Sequence, residues 1–267
     1  MQCNNKLRIT TKSDNPKDGR VSGSMRLTVT IFLTTTLLAP PLLEAAELPK
    51  HLFILSGQSN MTGALRDAFT ERVAEHFGIE QTAVVMRMKS GRGIRFWVSD
   101  YGQPDGRGLT AKKMSSNGME YDPLVAAAKV ACKEQAFDTV GFIWMQGESD
   151  ANNRLSAVYR ESFIKLINRL KHDLMRDDLY FVIGRINDYA RDTPNNEHWH
   201  KVRAAQQQLG NTAGNAWINT DDLNGVSENQ PHGDIHFPKE GATKLGRRFA
   251  DKAIDLIDNK QQATQEN

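Results

Sequence analysis

A serine set between two amide residues stands where an apolar run ends: residues His51 to Met61 read HLFILSGQSNM. Leu52, Phe53, Ile54 and Leu55 have the unbroken hydrophobicity of a strand buried on both faces. Ser56-Gly57-Gln58-Ser59-Asn60 then supplies the small and amide residues of a tight turn. Ser59 therefore falls just past the carboxyl end of a central strand, where open α/β sheets bind ligands. A hydroxyl there is a candidate nucleophile; the alternative is a serine that merely caps the next helix.

Acyl transfer needs an attacking hydroxyl, a base that titrates near neutrality, and an acid that orients the base. It also needs donors facing the oxygen on which negative charge develops. Three further places carry suitable residues: Asn117-Gly118-Met119-Glu120 before a helix, Trp144-Met145-Gln146-Gly147-Glu148-Ser149-Asp150 after a strand, and Gly233-Asp234-Ile235-His236-Phe237-Pro238 before the last helix. Ser59 can attack, His236 can accept its proton and Asp234 can orient the imidazole. The Gly118 amide, read as a free donor at a helix opening, can join the Ser59 amide and the Gln146 side chain at the oxyanion. Gln58, Asn60 and Glu148 read as supporting residues, with Glu148 and Asp150 hydrogen-bonding rather than moving protons. His232 competes with His236 but lacks the Phe-Pro and helix that follow the latter. His198 and His200 alternate, yet on a helix their rings diverge, so no metal site is expected.

These residues need strands that end together. Apolar runs at Thr82 to Met88, Thr139 to Met145, Leu179 to Ile186 and Ala216 to Thr220 read as four further strands. Helical patterns over Arg66 to Phe77, Tyr121 to Gln135, Leu155 to Leu174, Glu197 to Gly210 and Lys239 to Ile257 alternate with them. Alternation of this kind, with strands too apolar to face water, predicts a parallel sheet covered on both sides. The Gly-rich stretch from Lys89 to Asn117 is too long for a plain connection; its Trp97 and Tyr101 either stack on a ligand or cover the sheet edge. The polar tail from Asp258 is expected to fray.

Arg26, the apolar Leu27 to Leu38 and the small Ala45 have the layout of a secretory signal peptide, with an apolar core too short to span a bilayer comfortably. We divide the chain into a leader over 1–46, one domain over 47–260 and a tail over 261–267. The formal charge is +2 from 34 basic and 32 acidic side chains, and the first 45 residues hold six of the former and three of the latter. The remainder, at a net of −1, offers no basic footprint for nucleic acid. Of two cysteines, Cys3 leaves with the leader and Cys132 reads as a small buried apolar residue in a protein without disulfides.

The motifs together resemble the SGNH hydrolase superfamily, in its sialate O-acetylesterase and acetylxylan esterase branch (carbohydrate esterase family six). Gly57-Gln58-Ser59-Asn60-Met61 is similar to the nucleophile block, Gly118-Met119-Glu120 to the second block, and the Trp144 to Asp150 segment to the third. Val202-Arg203-Ala204-Ala205-Gln206, then Ile235-His236-Phe237 with Leu245-Gly246-Arg247-Arg248-Phe249-Ala250, complete the order. The resemblance implies a three-layer α/β/α sandwich with a central parallel sheet of about five strands, flavodoxin-like in order. It implies Ser-His hydrolysis of acetyl esters on sugars, without metal or organic cofactor, in a secreted or periplasmic enzyme. The partner is then an acetylated oligo- or polysaccharide, with no nucleic acid and, once the leader is gone, no membrane. A general carboxylesterase or lipase-like enzyme, and a glycan-binding module without turnover, are the alternatives. One departure stands out: the family's acid lies three residues before the histidine, a position held here by Gly233, whereas Asp234 lies two before. Glu148, Asp221, Asp222 or a backbone carbonyl could stand in.

Overall fold

The structure is a computed structural model and describes residues 48–104, 109–189, 195–225 and 233–265. Its centre is β1 (His51–Gly57), every residue of which is buried. β2 (Thr82–Met88) pairs with one edge of β1 and β3 (Thr139–Met145) with the other, both parallel and in register along seven residues. β4 (Tyr180–Gly184) and the short β5 (Ala216–Ile218) extend the sheet to the order β2-β1-β3-β4-β5, all parallel. This is the doubly wound order whose direction reverses between β1 and β3, so the loops after those two strands diverge and leave a crevice. Ser59 follows one strand and Gln146 the other.

Helices cover both faces. α1 (Gly63–Phe77) packs along α7 (Lys239–Gln265) on one side, while α3 (Tyr121–Glu134), α5 (Tyr159–Leu174) and α6 (Asn196–Gly210) form the other layer. Two short helices, α2 (Ala111–Met114) and α4 (Glu148–Asn152), lie in the loops after β2 and β3. The layered arrangement is the α/β/α sandwich expected from the alternation of apolar runs and helical patterns. α5 shows why it forms: Tyr159, Phe163, Leu166, Leu170 and Leu174 recur at helical spacing and are buried, with charges between them on the outer face. α1 starts where the Thr62 hydroxyl accepts the Leu65 N–H at 3.2 Å, which satisfies one of the helix's orphan donors.

Two expectations are corrected, the end of the last helix and the burial of Cys132. α7 does not end at Ile257; its helix continues to Gln265, through the stretch read as a fraying tail. The long connection after β2 carries a 3-10 turn over Ile94–Trp97 as well as α2. Cys132 is half-buried on α3 rather than fully buried; the other cysteine, Cys3, lies outside the described residues, as does the leader.

Two glycines let elements approach. Gly246 of α7 lies against the Leu65 carbonyl of α1, where a side chain would collide with backbone. Gly57 closes β1 at φ +145°, with the space of a Cβ filled by the Met145 carbonyl oxygen, and Gln58 N–H donates to that oxygen at 2.9 Å. Gly57→Ala therefore forces both a disfavoured φ and a backbone collision. It is expected to cost more than about 2 kcal/mol, read as a lower midpoint in thermal unfolding. Gly63→Ala, at a helical position with open space around it, should hold or raise that midpoint.

Candidate active site

The first and last chemical motifs meet at the carboxyl edge of the sheet. Ser59 Oγ lies 3.0 Å from His236 Nε2, across 177 residues of sequence. Ser59 is half-buried and His236 exposed, so the pair opens to solvent. With Nε2 accepting from the hydroxyl, the ring proton sits on Nδ1, which has no partner among the described residues. The Ser59 main-chain N–H is likewise without an acceptor among them. A free amide on the nucleophile itself is one of the donors an oxyanion needs.

The acid expected on the ring is elsewhere. Asp234 Oδ1 accepts the main-chain N–H of His236 at 3.1 Å, the short-range turn contact open to an aspartate two residues ahead. No hydrogen bond joins it to the imidazole. The stand-in acids are also engaged: Asp221 by Arg185 and Arg203, Asp222 by Arg248, and Glu148 by Asn60. Arg203 thus makes a structural ion pair with Asp221.

Beneath the nucleophile turn runs a buried polar seam. Gln146 is fully buried, and its Nε2 donates to the Arg92 carbonyl at 3.1 Å and to Asp150 Oδ2. Its carbonyl oxygen accepts from Gln206 at 2.8 Å and from the Tyr159 hydroxyl at 2.8 Å. Gln58 Oε1 accepts the Ser149 N–H at 3.3 Å, which links the first turn to α4. Glu148 and Asp150 are buried, and burial pushes their carboxyls up, to about 7 and about 6 respectively.

Two residues expected at the oxyanion are therefore committed to other work. The Gly118 amide, rather than standing free, donates to the Arg95 carbonyl at 2.9 Å from a turn with φ +77°. Gln146 points its amide into the seam because Arg92 and Asp150 compete for it there. Within the Gly-rich stretch from Lys89 to Asn117, the part that meets the nucleophile turn is Lys89–Gly93. Lys89 N–H donates to the Gly57 carbonyl at 3.0 Å, which ties this loop to the nucleophile turn. Its signal was visible as two glycines, Gly91 and Gly93, straight after the strand that neighbours β1.

A cleft of about 450 Å³ lies beside this loop, lined by Gly91, Arg92, Phe96, Lys113, Ser149 and Asn153 among others. Trp97 and Tyr101 do not face it as ligand-stacking rings; both are buried, Trp97 edge-on against Trp144 at 5.1 Å between ring centres. His198 bonds the Ser156 hydroxyl through Nδ1 at 2.8 Å, with that serine buried in the turn before α5. His232 lies outside the described residues. Among the described residues no group of three His, Cys, Asp or Glu side chains could hold a metal ion.

The buried acids give a sign to the pH dependence of stability. Glu148 and Asp150 keep protons in the folded chain that unfolded carboxylates release near pH 4. These two carboxyls thus hold more protons in the folded chain between that value and about 7, and their contribution to stability falls as pH rises through this window. It is opposed in part by buried His51, which burial pushes down to about 4. Thermal midpoints at pH 5 and pH 8 should show the decline, and Glu148→Gln should flatten it. A midpoint that rises over the same window, unaltered by the substitution, would contradict the assignment.

Known proteins share this chain's fold and family. The family model described as carbohydrate esterase, sialic acid-specific acetylesterase matches residues 64–255. No curated protein sequence matches significantly. Among solved structures, a protein of Arabidopsis thaliana superposes with a TM-score of 0.56 at 17% identity, over 79% of this chain and 99% of its own. A carbohydrate acetylesterase from Xanthomonas citri gives 0.56 at 17%, over 77% of this chain and 56% of that one. A carbohydrate acetylesterase from Sinorhizobium meliloti gives 0.50 at 14%, over 78% and 99%. At these identities the structural likeness speaks for the fold, and the family model speaks for the lineage. The chain has the SGNH fold and belongs to the carbohydrate esterases of the sialic acid-specific acetylesterase family.

Proposed function

We propose that this esterase removes O-acetyl groups from carbohydrates through an acetyl-enzyme on Ser59, with His236 as its base. The contact of Ser59 Oγ with His236 Nε2 at 3.0 Å, just beyond β1, carries the reading. His236 Nε2 takes the hydroxyl proton as Oγ bonds to the acetyl carbonyl carbon. The Ser59 N–H meets the oxygen that becomes negative, and the Gly91–Gly93 turn is a source of a second amide. As the tetrahedral intermediate collapses, the imidazolium returns the proton to the departing sugar oxygen. Water, activated by the same imidazole, then releases acetate and restores the hydroxyl. The cleft along Arg92, Phe96 and Lys113 suits the sugar, being polar, open and joined to the nucleophile turn through Ser149 and Gln58. The leader pattern between Arg26 and Ala45 supports a secreted or periplasmic place of action.

Acetate release from defined acetylated glycans, with 4-nitrophenyl acetate alongside, tests the reading. Ser59→Ala and His236→Ala should each lower kcat by about 10⁴-fold or more. A fluorophosphonate probe should label Ser59 in the parent protein; no labelling and no acetate would favour a glycan-binding module instead.

Asp234 gives a second prediction with an opposite sense to the usual triad. Asn retains the oxygen that accepts the His236 main-chain N–H, so Asp234→Asn should lower kcat by less than about tenfold. A carboxylate that orients the ring through Nδ1 would instead cost about 10⁴-fold on the same change.

A further inference from the structure

Asn60, the residue after the nucleophile, is bonded to both neighbours of the histidine. Its Oδ1 accepts the Phe237 main-chain N–H at 3.2 Å, and its Nδ2 donates to the Ile235 carbonyl at 2.9 Å. The second Nδ2 proton goes to Glu148 Oε1 at 2.6 Å. All the protons of this buried amide are used, which also fixes its orientation: only the amino end can meet a carbonyl and a carboxylate together. Glu148 is itself buried at the start of α4, so the anchor sits on the element that follows β3.

We propose that Asn60, anchored by Glu148, is the positioning residue of the esterase: it sets the reach of His236 to Ser59 by clamping the main chain on both sides of the histidine. This rests on the Ser59–His236 reading. Among the described residues the imidazole has no partner on Nδ1, so its placement rests on its backbone and on the Ser59 contact. That backbone is held at Ile235 and Phe237 by Asn60, at the Asp234 and Ile235 carbonyls by Asn187 (3.0 and 3.4 Å), and at its own N–H by Asp234. Of these holds only Asn60 also belongs to the nucleophile turn. One amide therefore relates the two reacting groups to each other directly. Each of its contacts has a distinct demand: two donations and one acceptance, which neither Asp nor Ser can supply in full.

The test measures Ser59 labelling by a small fluorophosphonate, together with kcat and KM on 4-nitrophenyl acetate, each rate taken per folded molecule from thermal unfolding. Asn60→Ala should slow labelling and lower kcat by about 30- to 100-fold while KM moves less than about twofold, the pattern of misplaced reacting groups. Asn60→Asp, which keeps the acceptor and loses both donations, should fall short of the parent by at least about tenfold. Glu148→Ala should lose a comparable factor, and Glu148→Gln, which retains an oxygen for Asn60, should recover it to within about threefold of the parent. Labelling and kcat per folded molecule at the parent level in Asn60→Ala and Glu148→Ala would overturn the proposal. Where Asn60→Ala does not fold, the comparison of Glu148→Ala with Glu148→Gln decides in its place, equal rates overturning it. A parent protein whose turnover survives Ser59→Ala would instead refute the esterase site, whatever Asn60 does.

Discussion

The interaction on which everything else depends is the pairing of β1 with strands on both of its edges. A strand buried on two faces and bonded in register along seven residues on each side has no freedom to slide. A slip of one residue would exchange its two faces and bring the turn to a different height above the sheet. The nucleophile is thus placed by the apolar side chains beneath it. Gly57 converts that placement into a direction, because only a residue without Cβ can turn there against the Met145 carbonyl. The order of strands then supplies the crevice: β1 and β3 are neighbours whose connections leave in opposite senses, and the two turns face each other across the gap.

The buried seam under the turn is costly, and its cost explains its composition. Gln146, Gln206, Asn60, Glu148 and Asp150 are all buried, and each would be destabilising alone. Together they bond one another and the main chain at the ends of β1, β3 and β4, though one oxygen each of Gln146, Glu148 and Asp150 is buried without a partner among the described residues. Gln206 shows the logic: it accepts the Ile186 N–H at 2.9 Å and donates to the Gln146 carbonyl, so one side chain on α6 joins the ends of two strands. The carboxyls answer the same pressure by holding protons into a range where surface acids are charged. Rigidity at the strand ends comes from this network rather than from the loops themselves, several of which carry no regular structure.

Much of this was legible in the chain because it rests on local pattern. The ends of β2 and β3 follow from where apolar runs stop, and they agree with the structure residue for residue. Ser59 and His236 were legible as residue types placed at a strand end and before a closing helix. What escaped was every contact whose partner is remote and unsigned in the sequence. Gly118 read as a free amide because nothing nearby marks the Arg95 carbonyl that takes it. Gln146 read as an oxyanion donor because one competitor, the Arg92 carbonyl, comes from the loop following β2, and the other, Asp150, read only as a support of its own loop. Trp97 and Tyr101 were ambiguous for a related reason: an aromatic ring in a long loop serves a sugar or a core equally well until the loop's path is known.

The displaced acid bears on how such a site can work at all. A carboxylate on Nδ1 does two things for an imidazole: it fixes the ring's rotation and it stabilises the positive charge that appears during proton transfer. Here the first task is divided: the flanking peptide groups, bonded on both sides, fix the backbone from which the ring turns, and the contact of Nε2 with Ser59 Oγ holds the ring itself. The second task cannot be passed on so easily, and the site meets it by a different route. On the proposed reading His236 is exposed, so solvent can reach the imidazolium as it forms. Exposure of the base and restraint of its backbone are thus two halves of one solution, and the residue beside the nucleophile supplies the second half.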